Sequence, residues 1–147
     1  MTVFSKPYGS SSLRSVATVL SGADGVWSYL VRPRIATTYQ ASWRNGLSAA
    51  VAISVHPRVG LTRYRNGHFL ISVAGNHPFA HKVVQLQRKV GTRWVTIRRV
   101  RLGLRSRVEF RATLPKGRST VRAAFSVNQA GVGYLGGTSR SLTFTRS

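Results

Sequence analysis

Strict alternation of apolar and polar residues is the feature that most limits the fold of this chain. In residues 107–114 every second side chain is apolar, and the residues between them are Arg, Glu or Thr. Residues 118–127 repeat the pattern, with Val121 and Phe125 on the apolar side. A period of two is that of a β-strand with one buried face. Residues 115–117, Pro-Lys-Gly, are typical of a turn, so the two segments predict a hairpin with a basic outer face.

The same alternation recurs through the rest of the C-terminal region. Five further segments show it, at residues 59–61, 69–73, 84–86, 94–102 and 142–144. In the fourth of these the alternation slips at Arg98-Arg99, and a β-bulge there would return Val100 and Leu102 to the inner face. Residues 58–147 therefore predict seven strands, enough for a complete β-sandwich.

The N-terminal region shows a shortened form of this pattern. Turn signals at Ala23-Asp24-Gly25 and Asn45-Gly46 separate segments that alternate. These segments predict strands at residues 27–31, 39–43 and 51–55. Pro57 favours an extended backbone and ends strand pairing, which indicates a junction. We therefore predict an incomplete module at residues 1–57 and a complete seven-stranded module at residues 58–147.

The charge balance is extreme. The chain carries 23 Lys and Arg residues against two acids, Asp24 and Glu109, for a net charge of +21. Self-repulsion of this size is relieved by counterions or by an anionic partner. Nineteen of the basic residues are Arg, whose planar guanidinium suits contacts with phosphate, sulfate or carboxylate groups. A GC-rich coding sequence would also favour Arg over Lys, but it does not explain the scarcity of acids.

Residue types used in catalysis are scarce. There is no Cys, which removes disulfides and thiolate sites together. A pair of carboxylates would have to be Asp24 and Glu109, which are predicted to lie in different modules. His77 and His81 have the spacing of zinc ligands on a helix, but Pro78 interrupts any helix there. We therefore predict no enzymatic activity, no catalytic residue, no bound metal and no cofactor.

Several short motifs carry a resemblance to a known class of proteins. They are DGVWSY (24–29), TYQA (38–41), VQLQR (84–88), RSTVR (118–122) and NQAGVGYLGG (128–137). With these motifs the chain resembles the tandem immunoglobulin-like or fibronectin-III-like repeats of actinobacterial-type secreted or surface proteins. The resemblance implies an all-β fold of two β-sandwich modules in tandem, the first lacking its N-terminal strands.

The resemblance also implies roles for individual residues. Tyr39 would form a tyrosine corner at the start of the penultimate strand of the first module. Trp27, Trp43 and Trp94 would point into the cores. Residues 1–4 would fall in a mid-sandwich strand, so two strands would be missing before them. Either the chain is a fragment of a longer repeat protein, or another chain supplies the missing strands.

Basic side chains on the outward phase of the strands form the remaining candidate site. We predict the main polyanion-binding surface at Lys89, Arg93, Arg98, Arg99, Arg101 and Arg122, and a second face at Arg107 and Arg111. An anionic glycan, a teichoic acid or a nucleic acid would be the ligand. The predicted function is a non-catalytic structural and binding module of a cell-surface or extracellular assembly. The alternative is an intracellular nucleic-acid-binding protein, although no standard motif for that function occurs.

Partners and location complete these expectations. A strand-donating chain, or self-association through residues 1–57, would complete the first module. No transmembrane segment is predicted, because no apolar run reaches about 18 residues. We expect a secreted or cell-surface protein, although the first residues do not read as a signal peptide.

Overall fold

The computed structural model describes residues 1–147 and contains thirteen strands, a four-residue helix and a short 3-10 turn. These elements form two compact units, Met1–Val55 and His56–Ser147, called unit 1 and unit 2 below. The all-strand character follows from the alternation that runs through the sequence. None of the helical segments has the length and apolar character needed to cross a membrane. The assignment of the two units to tandem sandwich modules stays a prediction.

Unit 1 consists of a single antiparallel sheet. Its strands are β1 (Thr2–Pro7), β2 (Arg14–Thr18), β3 (Thr37–Trp43), β4 (Gly46–Leu47) and β5 (Val51–Ile53). The order is β2-β1-β3-β4, and β5 also pairs with β3. The strand at the start of the chain, β1, therefore lies in the middle of the sheet, between β2 and β3.

The segment between β2 and β3 differs from expectation. A turn forms at Asp24, whose Oδ1 accepts a hydrogen bond of 3.0 Å from the Val26 N–H, but no strand forms over residues 27–31. Trp27 is half-buried and Tyr29 is exposed. The strand prediction was wrong because a strand needs a hydrogen-bonding neighbour, and unit 1 has no second sheet to provide one.

Unit 2 consists of two antiparallel sheets. Its strands are β6 (Arg58–Arg63), β7 (His68–Ala74), β8 (Val83–Val90), β9 (Arg93–Arg101), β10 (Arg107–Arg111), β11 (Gly117–Phe125), β12 (Gly137–Thr138) and β13 (Leu142–Arg146). One sheet has the order β10-β7-β6, and the other has the order β9-β8-β11-β12, with β13 also paired to β11. The seven strands predicted for this region are all present, and β12 is a short addition. Helix α1 (Val127–Ala130) lies between β11 and β12.

The core of unit 2 lies between the inward faces of its two sheets. Fully buried side chains come from both sheets, among them Phe69, Ile71, Val84, Leu86, Val121 and Phe125. Phe79, in the connection from β7 to β8, packs edge-on against Phe125 with ring centroids 5.4 Å apart. Such aromatic pairs add to the stabilisation from apolar burial.

The predicted hairpin of residues 107–127 does not form. Strand β10 pairs with β7, whereas β11 pairs with β8, so residues 115–117 carry the chain from one sheet to the other. A hairpin would place both apolar faces in the same sheet. Placing β10 and β11 in opposite sheets instead packs the Phe110 side and the Val121 side into a common core, where both are buried.

The predicted β-bulge is present in β9, one residue before the expected position. Leu86 pairs with Arg98 but Gln87 pairs with Thr96, which leaves Ile97 without a partner. Beyond the bulge, Val100 pairs with the buried Val84. The bulge therefore returns Val100 to the inner face, as predicted.

The sheet of unit 1 repeats the five-stranded sheet of unit 2 in strand order and in register. Val3 pairs with Ala41 in unit 1, and Leu86 pairs with Ala123 in unit 2. Trp43 follows Ala41 by two residues on β3, and Phe125 follows Ala123 by two residues on β11. Trp43 and Phe125 therefore occupy equivalent positions in the two sheets. Phe125 is 2% exposed beneath the second sheet of unit 2, whereas Trp43 is 57% exposed. The core position predicted for Trp43 was wrong because unit 1 has no opposing sheet.

Candidate functional site

The outer face of the β9-β8-β11 sheet carries a dense group of basic side chains. Strand register places Arg99 opposite Gln85, and Arg122 opposite Gln87, on the side that faces away from the core. The same alternation brings Lys89, Arg101 and Arg118 to this side. We call these five residues the basic face: Lys89, Arg99, Arg101, Arg118 and Arg122. The two acids of the chain lie elsewhere, Asp24 in unit 1 and Glu109 in the opposite sheet.

Hydrogen bonds between side chains order the centre of this face. The Gln87 amide nitrogen donates to Gln85 Oε1 at 3.3 Å, and the Thr96 hydroxyl donates to the same oxygen at 2.9 Å. Arg122 Nε donates to Gln87 Oε1 at 2.9 Å. The Arg122 guanidinium also lies 4.2 Å from the centroid of the Trp94 ring. This bond uses only Nε, so the terminal N–H groups of Arg122 stay available to other acceptors.

The position of Trp94 corrects a second expectation. Trp94 pairs with Lys89 and stands on the outer face, not in the core. It is half-buried because the Arg122 side chain covers its ring. A stacked guanidinium loses little solvation, so the pair is stable at a surface.

The structure separates two of the six predicted residues from the others. Arg98 pairs with the buried Leu86, its guanidinium lies 5.6 Å from the Phe110 ring centroid, and its Nη1 donates to the Arg111 carbonyl oxygen. The bulge that turns Val100 inward turns Arg98 inward as well, because the two are two residues apart. Arg93 alternates to the side opposite Trp94. Lys89, Arg99, Arg101 and Arg122 do share one face.

Arg118 lies on the basic face but was not among the residues predicted from the sequence. Its outward position follows from the alternation of Arg118, Thr120 and Arg122, which the sequence already contains. Thr120 bonds to Thr143 of β13 through their hydroxyl groups at 2.8 Å. This contact continues the polar outer face as far as the last strand.

The second predicted face, at Arg107 and Arg111, lies on the three-stranded sheet. Both side chains are exposed on β10, and Glu109 stands between them. The Glu109 carboxylate is 3.4 Å from His68 Nδ1 on the neighbouring strand. An acid at the centre of this face lowers its net charge, and binding of polyanions by Arg107 and Arg111 stays a prediction.

His77 and His81, the candidate metal ligands, both lie in the connection from β7 to β8. The His77 ring packs between Phe79 and Tyr134, with ring centroids 5.0 Å and 5.3 Å away. His81 adopts a left-handed backbone conformation in the same connection. The Tyr134 hydroxyl accepts a hydrogen bond of 2.6 Å from the Asn76 N–H, which closes this loop. No group of three His, Cys, Asp or Glu residues is close enough to hold a metal ion.

Solved structures similar to this chain include two of receptors and one of FN domains. The chicken interferon gamma receptor alpha chain is 11% identical, with 98% of this chain and 83% of that chain covered and a TM-score of 0.42. A cytokine receptor complex is 14% identical, with 98% and 85% covered and a TM-score of 0.46. The FN1–FN3 domains of chicken CNTN1 are 16% identical, with 98% and 52% covered and a TM-score of 0.37. At TM-scores below 0.5 these likenesses support no particular function.

No protein-family model matches the chain. No curated protein matches it either. The functional argument therefore depends on the geometry and charge of the two units.

Proposed function

We propose that this chain is a non-catalytic structural and binding module whose basic face holds polyanions. The single observation that supports the proposal most is the placement of five cationic side chains on one sheet face, with both acids of the chain elsewhere. The face is rigid because it is built on paired strands, and rigid elements position binding groups better than loops.

Electrostatics sets the kind of ligand. Arg99 and Arg101 are two residues apart on one strand, so they lie roughly 7 Å from each other. Like charges at this spacing repel, and a polyanion that replaces their counterions relieves the repulsion. Binding of this type is driven by counterion release and depends on charge density more than on sequence. We propose an anionic glycan, a teichoic acid or extracellular nucleic acid as the ligand, at a cell surface or in an extracellular assembly.

The second candidate function is intracellular nucleic-acid binding. The Arg122–Trp94 stack favours this function, because aromatic rings and arginine side chains also stack on unpaired bases. However, Arg122 already covers one face of the Trp94 ring, so that face is not open to a base. Single-stranded nucleic acid should therefore bind no better than a glycan of equal charge density.

Titration of the full chain with heparin, teichoic acid and duplex DNA over a range of salt concentrations tests the proposal. If each of the five side chains contacts one phosphate, the slope of log K against log salt for DNA should be about −4.5. The double variant Arg99→Gln/Arg101→Gln should flatten the slope by about 2. Arg65→Gln/Arg105→Gln removes the same charge from exposed turns and is the matched control. Binding without salt dependence, or equal losses in both double variants, would overturn the proposal.

Unit 1 has a distinct proposed partner. We propose that its exposed apolar side chains are covered by strands of another polypeptide, either a strand-donating chain or a second copy acting through residues 1–57. The exposure of Trp43, against the burial of Phe125 at the equivalent position, supports this proposal. Val51 on the edge strand β5 is 60% exposed and extends the same apolar surface.

A further inference from the structure

Two glutamine side chains lie at the centre of the basic face, and their hydrogen bonds determine which atoms they can offer to a ligand. Arg122 has only N–H donors, so the atom of Gln87 that accepts its bond is Oε1. The Gln87 amide nitrogen then donates to Gln85 Oε1, which also accepts the Thr96 hydroxyl. Both lone pairs of Gln85 Oε1 are therefore occupied, whereas the two N–H groups of Gln85 make no hydrogen bond within the protein. The centre of the face thus offers hydrogen-bond donors that carry no charge.

These amides border an open depression beside the basic face, with a volume of about 410 Å³. Such a volume is within the range of small-ligand sites. Gln85 pairs with Ala124 of β11, and Ala124 pairs with Thr138 of β12, so the three side chains stand on the outer side of the sheet. None of the residues that line the depression is Lys, Arg, Asp or Glu. The depression therefore extends the basic face with a polar surface that has no fixed charge.

His56 adds a different kind of group to the depression. Its Nδ1 contacts the Gly136 carbonyl oxygen. A carbonyl oxygen only accepts hydrogen bonds, so Nδ1 carries a proton and the neutral ring has an acceptor at Nε2. Thr138 also lines the depression, and its hydroxyl both donates and accepts. Donors and acceptors together are the complement of a ligand that carries hydroxyl groups.

Cationic side chains lie at both ends of the glutamine pair. At one end, Arg99 pairs with Gln85. At the other end, the Arg122 guanidinium lies over Trp94, two residues before the partner of Gln87 on β9. The two glutamines are themselves about 7 Å apart along β8. A ligand that follows β8 therefore meets cations, then uncharged amides, then cations again.

We propose that the basic face and this depression together bind a single-chain anionic glycan, with Gln85, Gln87 and His56 as the residues that recognise its uncharged sugar oxygens. The site depends on the proposed polyanion binding by the basic face, and it selects one class of polyanion. In an anionic glycan, sugar rings with hydroxyl groups separate the charged groups, which matches the order of groups along β8.

Duplex DNA does not match this order. Its phosphates line the outside of the helix, and its uncharged acceptors lie at the floors of the grooves. The major groove, about 12 Å wide, admits a two-stranded ribbon. At about 4.8 Å between neighbouring strands, the four strands across this sheet are wider than that groove. The glutamine amides therefore cannot reach the base edges of a duplex.

Titration of the full chain with heparin, polygalacturonate and duplex DNA tests the proposal. Gln85→Met removes an amide without changing the net charge, so it should weaken heparin binding about threefold to tenfold, the effect of a neutral hydrogen bond. The slope of log K against log salt and the affinity for DNA should stay unchanged. Heparin carries sulfate groups that polygalacturonate lacks, so the tighter of the two glycans identifies the charged group. Gln40→Met removes an amide from the sheet of unit 1 and is the matched control, with unchanged binding expected.

Two-dimensional NMR spectra of the wild-type chain provide a second measurement. The side-chain amide signals of Gln85 should shift when a heparin tetrasaccharide is added, but not with inorganic sulfate at the same ionic strength. Unchanged heparin binding in Gln85→Met, or equal losses for heparin and DNA, would overturn the proposal. A flattened salt slope in Arg99→Gln/Arg101→Gln would in that case still support polyanion binding by the basic face. Absence of heparin binding by the wild-type chain would overturn both proposals.

Discussion

The side chain of Arg122 crosses strand β8 and reaches Trp94, with its guanidinium 4.2 Å from the Trp94 ring centroid. On the way, its Nε donates to Gln87 of β8. One side chain therefore joins three neighbouring strands, β11, β8 and β9, across the outer face of the sheet. The contact combines a stacked cation with a directed hydrogen bond, and Lys can provide only the charge.

Arg122→Lys separates these two roles. The substitution keeps the charge but loses the planar stack and the bond to Gln87, so the free energy of unfolding should fall by about 1 kcal/mol. Polyanion affinity at fixed salt should change less than twofold, because the charge is retained. Urea unfolding and a heparin titration measure the two effects. Arg99→Lys is the control and should change neither quantity; an equal loss of stability there would contradict the argument.

Arg98 and Arg99 are neighbours in sequence with opposite expected effects. Arg98→Gln loses the contact with Phe110 and the bond to the Arg111 carbonyl oxygen, so it should lower stability by about 1 kcal/mol. It should leave the salt dependence of polyanion binding unchanged. Arg99→Gln should instead flatten the salt slope by about 1 and keep the melting temperature. A flattened salt slope in Arg98→Gln together with a loss of stability in Arg99→Gln would contradict the inward position of Arg98.

Unit 1 predicts concentration-dependent association. Static light scattering of the full chain should give a mass above the 16.1 kDa of one chain, because exposed apolar faces and strand edges recruit other chains. Trp43→Thr/Val51→Thr should shift the protein toward the monomer. Leu104→Thr removes an exposed apolar side chain from a turn of unit 2 and should have no effect. A wild-type chain that is monomeric at all concentrations and melts cooperatively would contradict the prediction.

Truncating a core side chain of unit 2 should lower the free energy of unfolding far more than truncating a side chain on an edge strand. Leu86 is completely buried between the sheets, so Leu86→Ala should lower the free energy of unfolding by about 2–5 kcal/mol. Val95 is 45% exposed on the edge strand β9, and Val95→Ala should cost less than about 1 kcal/mol. Chemical denaturation of the two variants measures both values. Similar losses would show that the two sheets do not enclose the core at Leu86.

The period of two was sufficient to locate the strands of unit 2, because each strand has one buried face. It could not assign strand partners. Residues 107–114 and 118–127 both carry an apolar face, and that pattern fits a hairpin as well as two strands in opposite sheets. Global packing decides between these arrangements. The local alternation contains no such information.

The candidate site was predicted only in part for a related reason. Lys89, Arg99, Arg101 and Arg122 share the outer side of the sheet, but the side on which Arg98 lies depends on the residue at which the bulge occurs, and polyanion binding by any of them stays a prediction. Trp43 and Trp94 were expected in cores because the resemblance to the repeat modules implies core positions for them. Trp43 is exposed because unit 1 has no opposing sheet. Trp94 lies on the outer face, where Arg122 covers its ring.

Strand β9 lies at the end of its sheet, so one side of its backbone has no neighbouring strand. An edge of nine residues is long enough to template aggregation with other polypeptides. Four of those nine residues are Arg, and charged side chains on an edge strand discourage such pairing. We therefore expect the arginines of β9 to discourage pairing of this edge with other polypeptides, independently of any ligand. Variants that replace these arginines with apolar residues should be less soluble and should aggregate more readily through the β9 edge.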